Sequence, residues 1–144
     1  MDKLSDLAAK LAPYLRGPRW IELPEPVYSS NFNGDVFSTV GSAGNNTLMN
    51  LSTEFGLPTK ILSVKGVVQI SDSASFGSSG IYAFFYSTAA STLFRGGVRS
   101  YGGNLSTVNH FECLCNPDGN IYYRFGASGT NTLTVTIYIT GYKK

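Results

Sequence analysis

A chain of 144 residues is long enough to close one hydrophobic core without disulfide or metal staples. Only 14% of it is charged, and Ser (17), Thr (12), Asn (10) and Gly (16) supply a polar surface that favours strands and turns, while 13% aromatic content argues against wholesale disorder. The net charge of +2 is spread with no basic run beyond Lys143-Lys144, and no long apolar stretch or charged-then-apolar leader occurs, so nucleic-acid binding, a membrane span and a signal peptide are not expected.

Residues 2–15 place Leu4, Leu7, Ala8, Leu11 and Leu15 at spacings of three and four, with Asp2, Lys3, Asp6 and Lys10 opposite, which predicts an amphipathic helix. Pro13 removes a backbone donor and restricts Ala12, so the regular helix is expected to end near Leu11 or Ala12. Three turns do not stand alone in water, and the apolar side must dock on something. From Arg16 to Pro26 the prolines Pro18, Pro24 and Pro26 enforce an extended arm that carries Trp20, Ile21 and Leu23. Two readings are open: helix and arm pack back on the chain's own β domain, or they dock on a neighbouring subunit. The expected division is a helix and Pro-rich docking arm over 1–26, then a β domain over 27–144.

Past residue 27 the period changes to two. Strands are expected over 35–40, 60–70, 80–87, 92–101, 108–115, 120–125 and 132–142. Residues 60–70 put Leu62, Val64, Val68 and Ile70 on one face around Gly66, a long half-buried strand bent at the glycine. Residues 80–87 (GIYAFFYS) are apolar on both faces, which suits a central or interface strand. Gly41 to Asn46 reads as a loop, and Gly96-Gly97 as a tight turn or bulge. Asn116-Pro117-Asp118-Gly119 reads as the turn of a hairpin joining the strands on either side. Seven or eight strands with regular turn signals predict an all-β fold, an antiparallel β-sandwich of jelly-roll type, behind the N-terminal helix and arm.

His110 is the only histidine, which limits His-dependent triads and multi-histidine metal sites. On a strand His110 and Glu112 share one face and Cys113 and Cys115 the other, so no Cys-His zinc cluster forms and the cysteines read as small, reduced core side chains. Asp72, Glu112 and Asp118 lie in separate settings and do not pair as catalytic carboxylates. No catalytic, cofactor-binding or metal-ligating residue is assigned, and neither an enzyme nor a cofactor is expected. Tyr82, Tyr86, Tyr101, Tyr122 and Tyr138 are the candidate ligand or interface aromatics, since Tyr has an apolar face and a polar tip; ordinary sheet packing accounts for many such rings.

The Leu-rich helix and Pro-rich arm (LSDLAAKLAPYLRGPRW), the Ser/Thr/Asn/Gly-rich β region and the closing strand NTLTVTIYITGYKK together give a layout that resembles small virion proteins of tailed bacteriophages. The likeness covers the whole chain in style and departs from a fibre in lacking shaft repeats. It implies a non-enzymatic protein that assembles as a homotrimer on a larger particle, in the virion, after synthesis in the host cytoplasm. One expectation is a capsid cement or decoration protein that docks on a major capsid or tail protein through Leu4, Leu7, Leu11, Trp20 and Ile21. The alternative is a receptor- or carbohydrate-binding module such as a tail-fibre tip, which reads glycans through its tyrosines and its Asn- and Ser-rich loops.

Overall fold

The computed structural model describes residues 3–15, 17–29, 39–40, 46–73, 81–100, 106–126 and 133–144. In chain order these form α1 (Lys3–Leu15), β1 (Trp20–Ser29), β2 (Thr39–Val40), β3 (Thr47–Met49), α2 (Leu51–Phe55), β4 (Ser63–Asp72), β5 (Ile81–Tyr86), β6 (Gly96–Ser100), β7 (Thr107–Leu114), β8 (Ile121–Gly126) and β9 (Leu133–Lys143). The chain is mostly β, as its composition predicts, and the strands lie in two antiparallel sheets. One sheet has the order β1-β9-β4-β7; the other has β2-β8-β5-β6, with β3 also on β8. The pairings β1 with β9, β2 and β3 with β8, β4 with β7, and β5 with β6 are nested, like one long hairpin doubled at the β5–β6 connection.

Alternation decides which way each strand faces. Val64, Val68 and Ile70 of β4 and Leu133, Val135, Ile137 and Ile139 of β9 are fully buried, and so are Ile81, Ala83 and Phe85 of β5 and Ile121 and Phe125 of β8. These side chains belong to one cluster. The two sheets meet where Phe85 packs on Phe111 of β7, ring centroids 4.5 Å apart, and Phe125 meets Phe85 edge-on at 6.5 Å. Each such side chain stabilises the fold by about 1.5–3 kcal/mol through removal from water. Leu51 and Phe55 of α2 join the cluster, held there by caps: the Asn50 side chain accepts from Thr53 N–H, and left-handed Gly56 donates to Ser52 O.

In place of the bend expected in β4 at Gly66, the irregularity is an extra residue, Thr140, in β9 opposite it, while β4 stays in register with β7. The β4–β9 register shifts between Lys65 and Gly66, and a Cβ at Gly66 would overlap the Tyr138 carbonyl and stand 3.0 Å from Ile139 Cα. Leu62 precedes the strand and is exposed, rather than sharing the buried face of Val64.

Two expectations are corrected, the end of α1 and the hairpin at Asn116–Gly119, and of the two readings of the arm its second half follows the one that packs on the chain's own β structure. Helix α1 runs through Pro13 to Leu15, and its side chains over 3–10 are all exposed, a setting in which a carbonyl left without its helical donor can turn to water. The second half of the extended arm is β1, an edge strand whose Trp20, Ile21 and Glu22 face Lys143, Tyr142 and Gly141 of β9. Pro24 and Pro26 fall in the register shift between Glu22 and Val27, where no ladder donor is missed. The Asn116–Gly119 turn forms, with Asn116 Oδ1 accepting from Asp118 and Asn120 N–H and Gly119 at φ +84°, yet β7 and β8 are not a hairpin: they belong to different sheets. Their buried faces oppose each other across the core instead of sharing a ladder. The strand candidate over 35–38 and the loop over 41–45 lie outside the described residues.

Gly66→Ala is expected to destabilise the protein by about 2–3 kcal/mol, because the obstacle is backbone. Gly17→Ala, with nothing within 4 Å, should leave the urea midpoint unchanged. Equilibrium unfolding of both variants checks this.

Candidate functional site

Strand β5 turns Ile81, Ala83 and Phe85 inward, which sends Tyr82 and Phe84 to the outside of the β2-β8-β5-β6 sheet. Tyr82 lies between Gly126 of β8 and Arg99 of β6, and Phe84 between Arg124 of β8 and Gly97 of β6. Each outward ring therefore has a glycine on one flank and an arginine on the other, with the sides exchanged between the two rows. The rings occupy the glycine side: a Cβ at Gly126 would stand 2.7 Å from Tyr82 Cζ, and one at Gly97, whose φ is +145°, 2.9 Å from Phe84 Cδ1. Arg99 lies over both rings, its guanidinium carbon 5.5 Å from the Tyr82 centroid and 5.6 Å from that of Phe84.

Phe94, from the β5–β6 connection, extends the arrangement. It stacks on Phe84 at 4.4 Å and 9°, and Phe84 stacks on Tyr82 at 4.7 Å and 19°. The connection is held in place by buried Asn46, whose N–H donates to Ala89 O (2.8 Å) and whose Nδ2 donates to Thr88 O (3.2 Å) and Ser91 O (2.9 Å). Ser91 Oγ in turn accepts from Leu93 N–H. Beside the stack, edge strands β6 and β7 of the two sheets form a seam, bridged where Asn109 Nδ2 donates to Gly97 O at 2.7 Å. A cleft of about 460 Å³ runs along that seam, walled by Phe84, Phe94, Arg99, Val108 and Asn109.

The sequence-derived aromatics separate on this framework. Tyr82, Tyr86 and Tyr122 are outward-facing by register on the same sheet, but Tyr86 is fully buried, its hydroxyl accepting from Arg124. Burial raises the Tyr86 pKa, opposed by that guanidinium. Tyr122 meets Asn116 Nδ2 at 3.4 Å. Tyr138 lies on the outside of the other sheet beside Tyr28, centroids 5.9 Å apart, and Tyr101 lies outside the described residues. Phe84, Phe94, Arg99 and Asn109 were not singled out from the sequence. The alternation Tyr82, Phe84, Tyr86 points to the first; the others come together only through cross-strand register.

The residues expected to dock separate too. Leu4 and Leu7 on α1 are 75% and 52% exposed, and Leu11 belongs to the same helix, its side chain outside the described set. Trp20 and Ile21 are half-buried in β1, with Lys65 Nζ 4.9 Å over the Trp20 ring and Glu22 paired to the same ammonium.

His110 and Glu112 are exposed on the outside of the β1-β9-β4-β7 sheet, where they line a depression of about 440 Å³ at the bulge opposite Gly66 with Lys65 and Thr140. Cys113 faces inward from β7, Cys115 just beyond it is partly buried against the same core, and both are free thiols. Burial pushes both up to about 12, and for Cys115 the neighbouring Cys113 adds to the rise. The thiols are neutral at physiological pH, unsuited to nucleophilic attack or metal ligation. Among the described residues no three His, Cys, Asp or Glu side chains gather as a metal site. No protein-family model matches the chain, and no curated protein matches it in sequence.

Because the folded state keeps two thiol protons that the unfolded chain releases from about pH 9, their contribution to stability is complete below pH 9 and lost between about pH 9 and 12. The double variant C113A/C115A should lose less stability than the parent between pH 8 and pH 10.5, as read by urea unfolding at each pH. Equal losses would show that the thiols do not contribute.

Proposed function

We propose that this chain is a non-enzymatic structural protein of a tailed-bacteriophage virion, a capsid cement or decoration protein that self-associates as a trimer and docks on the particle through its N-terminal helix. Its partners in this reading are further copies of itself and a major capsid or tail protein. It needs no cofactor, nucleic acid or membrane, and it joins the virion after synthesis in the host cytoplasm. The observation that carries the reading is α1: an amphipathic helix too short to stand alone, with Leu4 and Leu7 left exposed by the chain's own β structure. An apolar helix side of this kind requires a second surface.

The body in this reading is an antiparallel β-sandwich of jelly-roll type. Support comes from the nested pairings: with β2 and β3 taken as two segments of one strand position on β8, a long antiparallel ribbon rolled about its β5–β6 tip has this strand order. Double-sheet jelly rolls recur in viral capsid and lectin domains. The outside of the β1-β9-β4-β7 sheet adds Tyr28, Val108 and Leu114, each more than half exposed, as apolar surface for contact between copies.

The second reading, a receptor- or carbohydrate-binding module such as a fibre tip, is favoured by the aromatic stack and its arginine on the other sheet. The two readings differ in what the N-terminal segment does.

Removal of residues 1–17 takes away α1 and leaves β1 whole; this variant should stay folded and self-associated and no longer load onto capsids. Removal of 1–26 also strips most of β1 from β9 and should lower the Tm strongly. Light scattering, thermal melting and co-sedimentation with capsids read the three effects. Normal loading by the shorter truncation rules out docking through α1.

A further inference from the structure

We infer that the cleft at the β6–β7 seam is a binding site for a carboxylated sugar. The inference rests on the second, surface-recognition reading and adds to it a place, a ligand class and a selecting residue.

Three properties converge there. The cleft, at about 460 Å³, lies within the range of about 300–1,000 Å³ that small ligands occupy, and it is lined mainly by apolar groups with a few placed polar ones. Phe94 is 48% exposed and backed by Phe84 in a near-parallel stack, so one aromatic face is open and held still. A pyranose ring has a C–H face that packs on such a surface while its hydroxyls stay available to polar partners. Asn109 is oriented by its bond to Gly97 O, which leaves its side-chain carbonyl to accept from a hydroxyl.

Charge selects among sugars. None of the nine Asp and Glu residues falls in the five strands of this sheet, nor anywhere between residues 73 and 111 of the sequence. Arg99 is exposed on the cleft wall, and Arg95 is exposed at the head of β6. Among the described residues that wall the cleft, the one charged side chain is therefore Arg99, and a guanidinium matches a carboxylate in shape, with two parallel N–H donors for two oxygens. A ligand with a C–H face, hydroxyls and one carboxylate uses every one of these groups. A nucleic-acid strand needs cations repeating along its backbone, and this face has no lysine, while Arg124 is committed to Tyr86. The cleft is also built in advance: Gly97 admits the Phe84 ring, and Asn46 fixes the connection that carries Phe94.

The test is titration calorimetry of the full chain with trigalacturonate, with its neutral counterpart galactotriose, and with a short oligothymidylate. Trigalacturonate should bind at least about tenfold more tightly than galactotriose. Arg99→Gln should erase that preference without lowering the Tm, and Phe94→Ala should weaken both sugars about tenfold. Arg99→Lys keeps the charge but loses the paired donors, and should cut the preference at least threefold; it serves as the test if Arg99→Gln unfolds. Equal binding of the two sugars overturns carboxylate selection and leaves surface recognition standing. Tighter binding of the oligothymidylate overturns the proposal in favour of nucleic acid. If neither sugar binds and a broad glycan array is also empty, both the proposal and the recognition reading fall.

Discussion

Phe85 against Phe111 ties one sheet to the other across the core. It exists only if Phe85 of β5 and Phe111 of β7 both point inward, and because side chains alternate along a strand, that choice settles the direction of every other residue on those strands. With Phe85 inside, Tyr82 and Phe84 are outside and meet Gly126 and Gly97 across the ladder. With Phe111 inside, Cys113 is buried and His110 and Glu112 are exposed. A slip of one residue would turn Phe85 and the aliphatic side chains of β5 outward, and in β7 would bring His110 and Glu112 into the core.

The outer face of the β5-containing sheet shows how small residues shape a surface. A side chain at Gly97 or Gly126 would lift the neighbouring ring away from the sheet; without one, Tyr82 and Phe84 settle against backbone and stack on each other. Arginines on the opposite flanks lie over or beside aromatic rings, Arg99 over Tyr82 and Phe84, and Arg124 over Tyr86. Aromatic and cationic groups thus share one face, and none of the five strands of this sheet contains an Asp or Glu.

The elements legible in the sequence are those with a sustained period of two. β4, β5, β7 and β9 follow directly from alternation; the irregularity opposite Gly66 does not, because its extra residue, Thr140, stands in β9. β1 was hidden because Pro24 and Pro26 read as an extended arm, although an edge strand with a register shift tolerates both. β3 and α2, at three and five residues, are too short for a period to show. The turn at Asn116–Gly119 was legible from its residue types, but turn chemistry reports only that the chain reverses, not which sheet it enters. The cleft was the least legible feature. Phe94, Arg99 and Asn109 are distant from Phe84 in sequence and become neighbours through pairings that local patterns do not encode.

The position of β9 has a consequence for how the molecule forms. It lies between β1 and β4, so Trp20 finds its partner Lys143 only after nearly the whole described chain has been made. Until then β1 has no strand to pair with, and β4 can pair only with β7. A ribosome would therefore emit eight strands whose shared core lacks the wall made by Leu133, Val135, Ile137 and Ile139. Folding of this topology is dominated by distant contacts, and such proteins fold in milliseconds to seconds rather than microseconds. During that interval the inner faces and strand edges are open to other nascent chains, the condition under which such species aggregate.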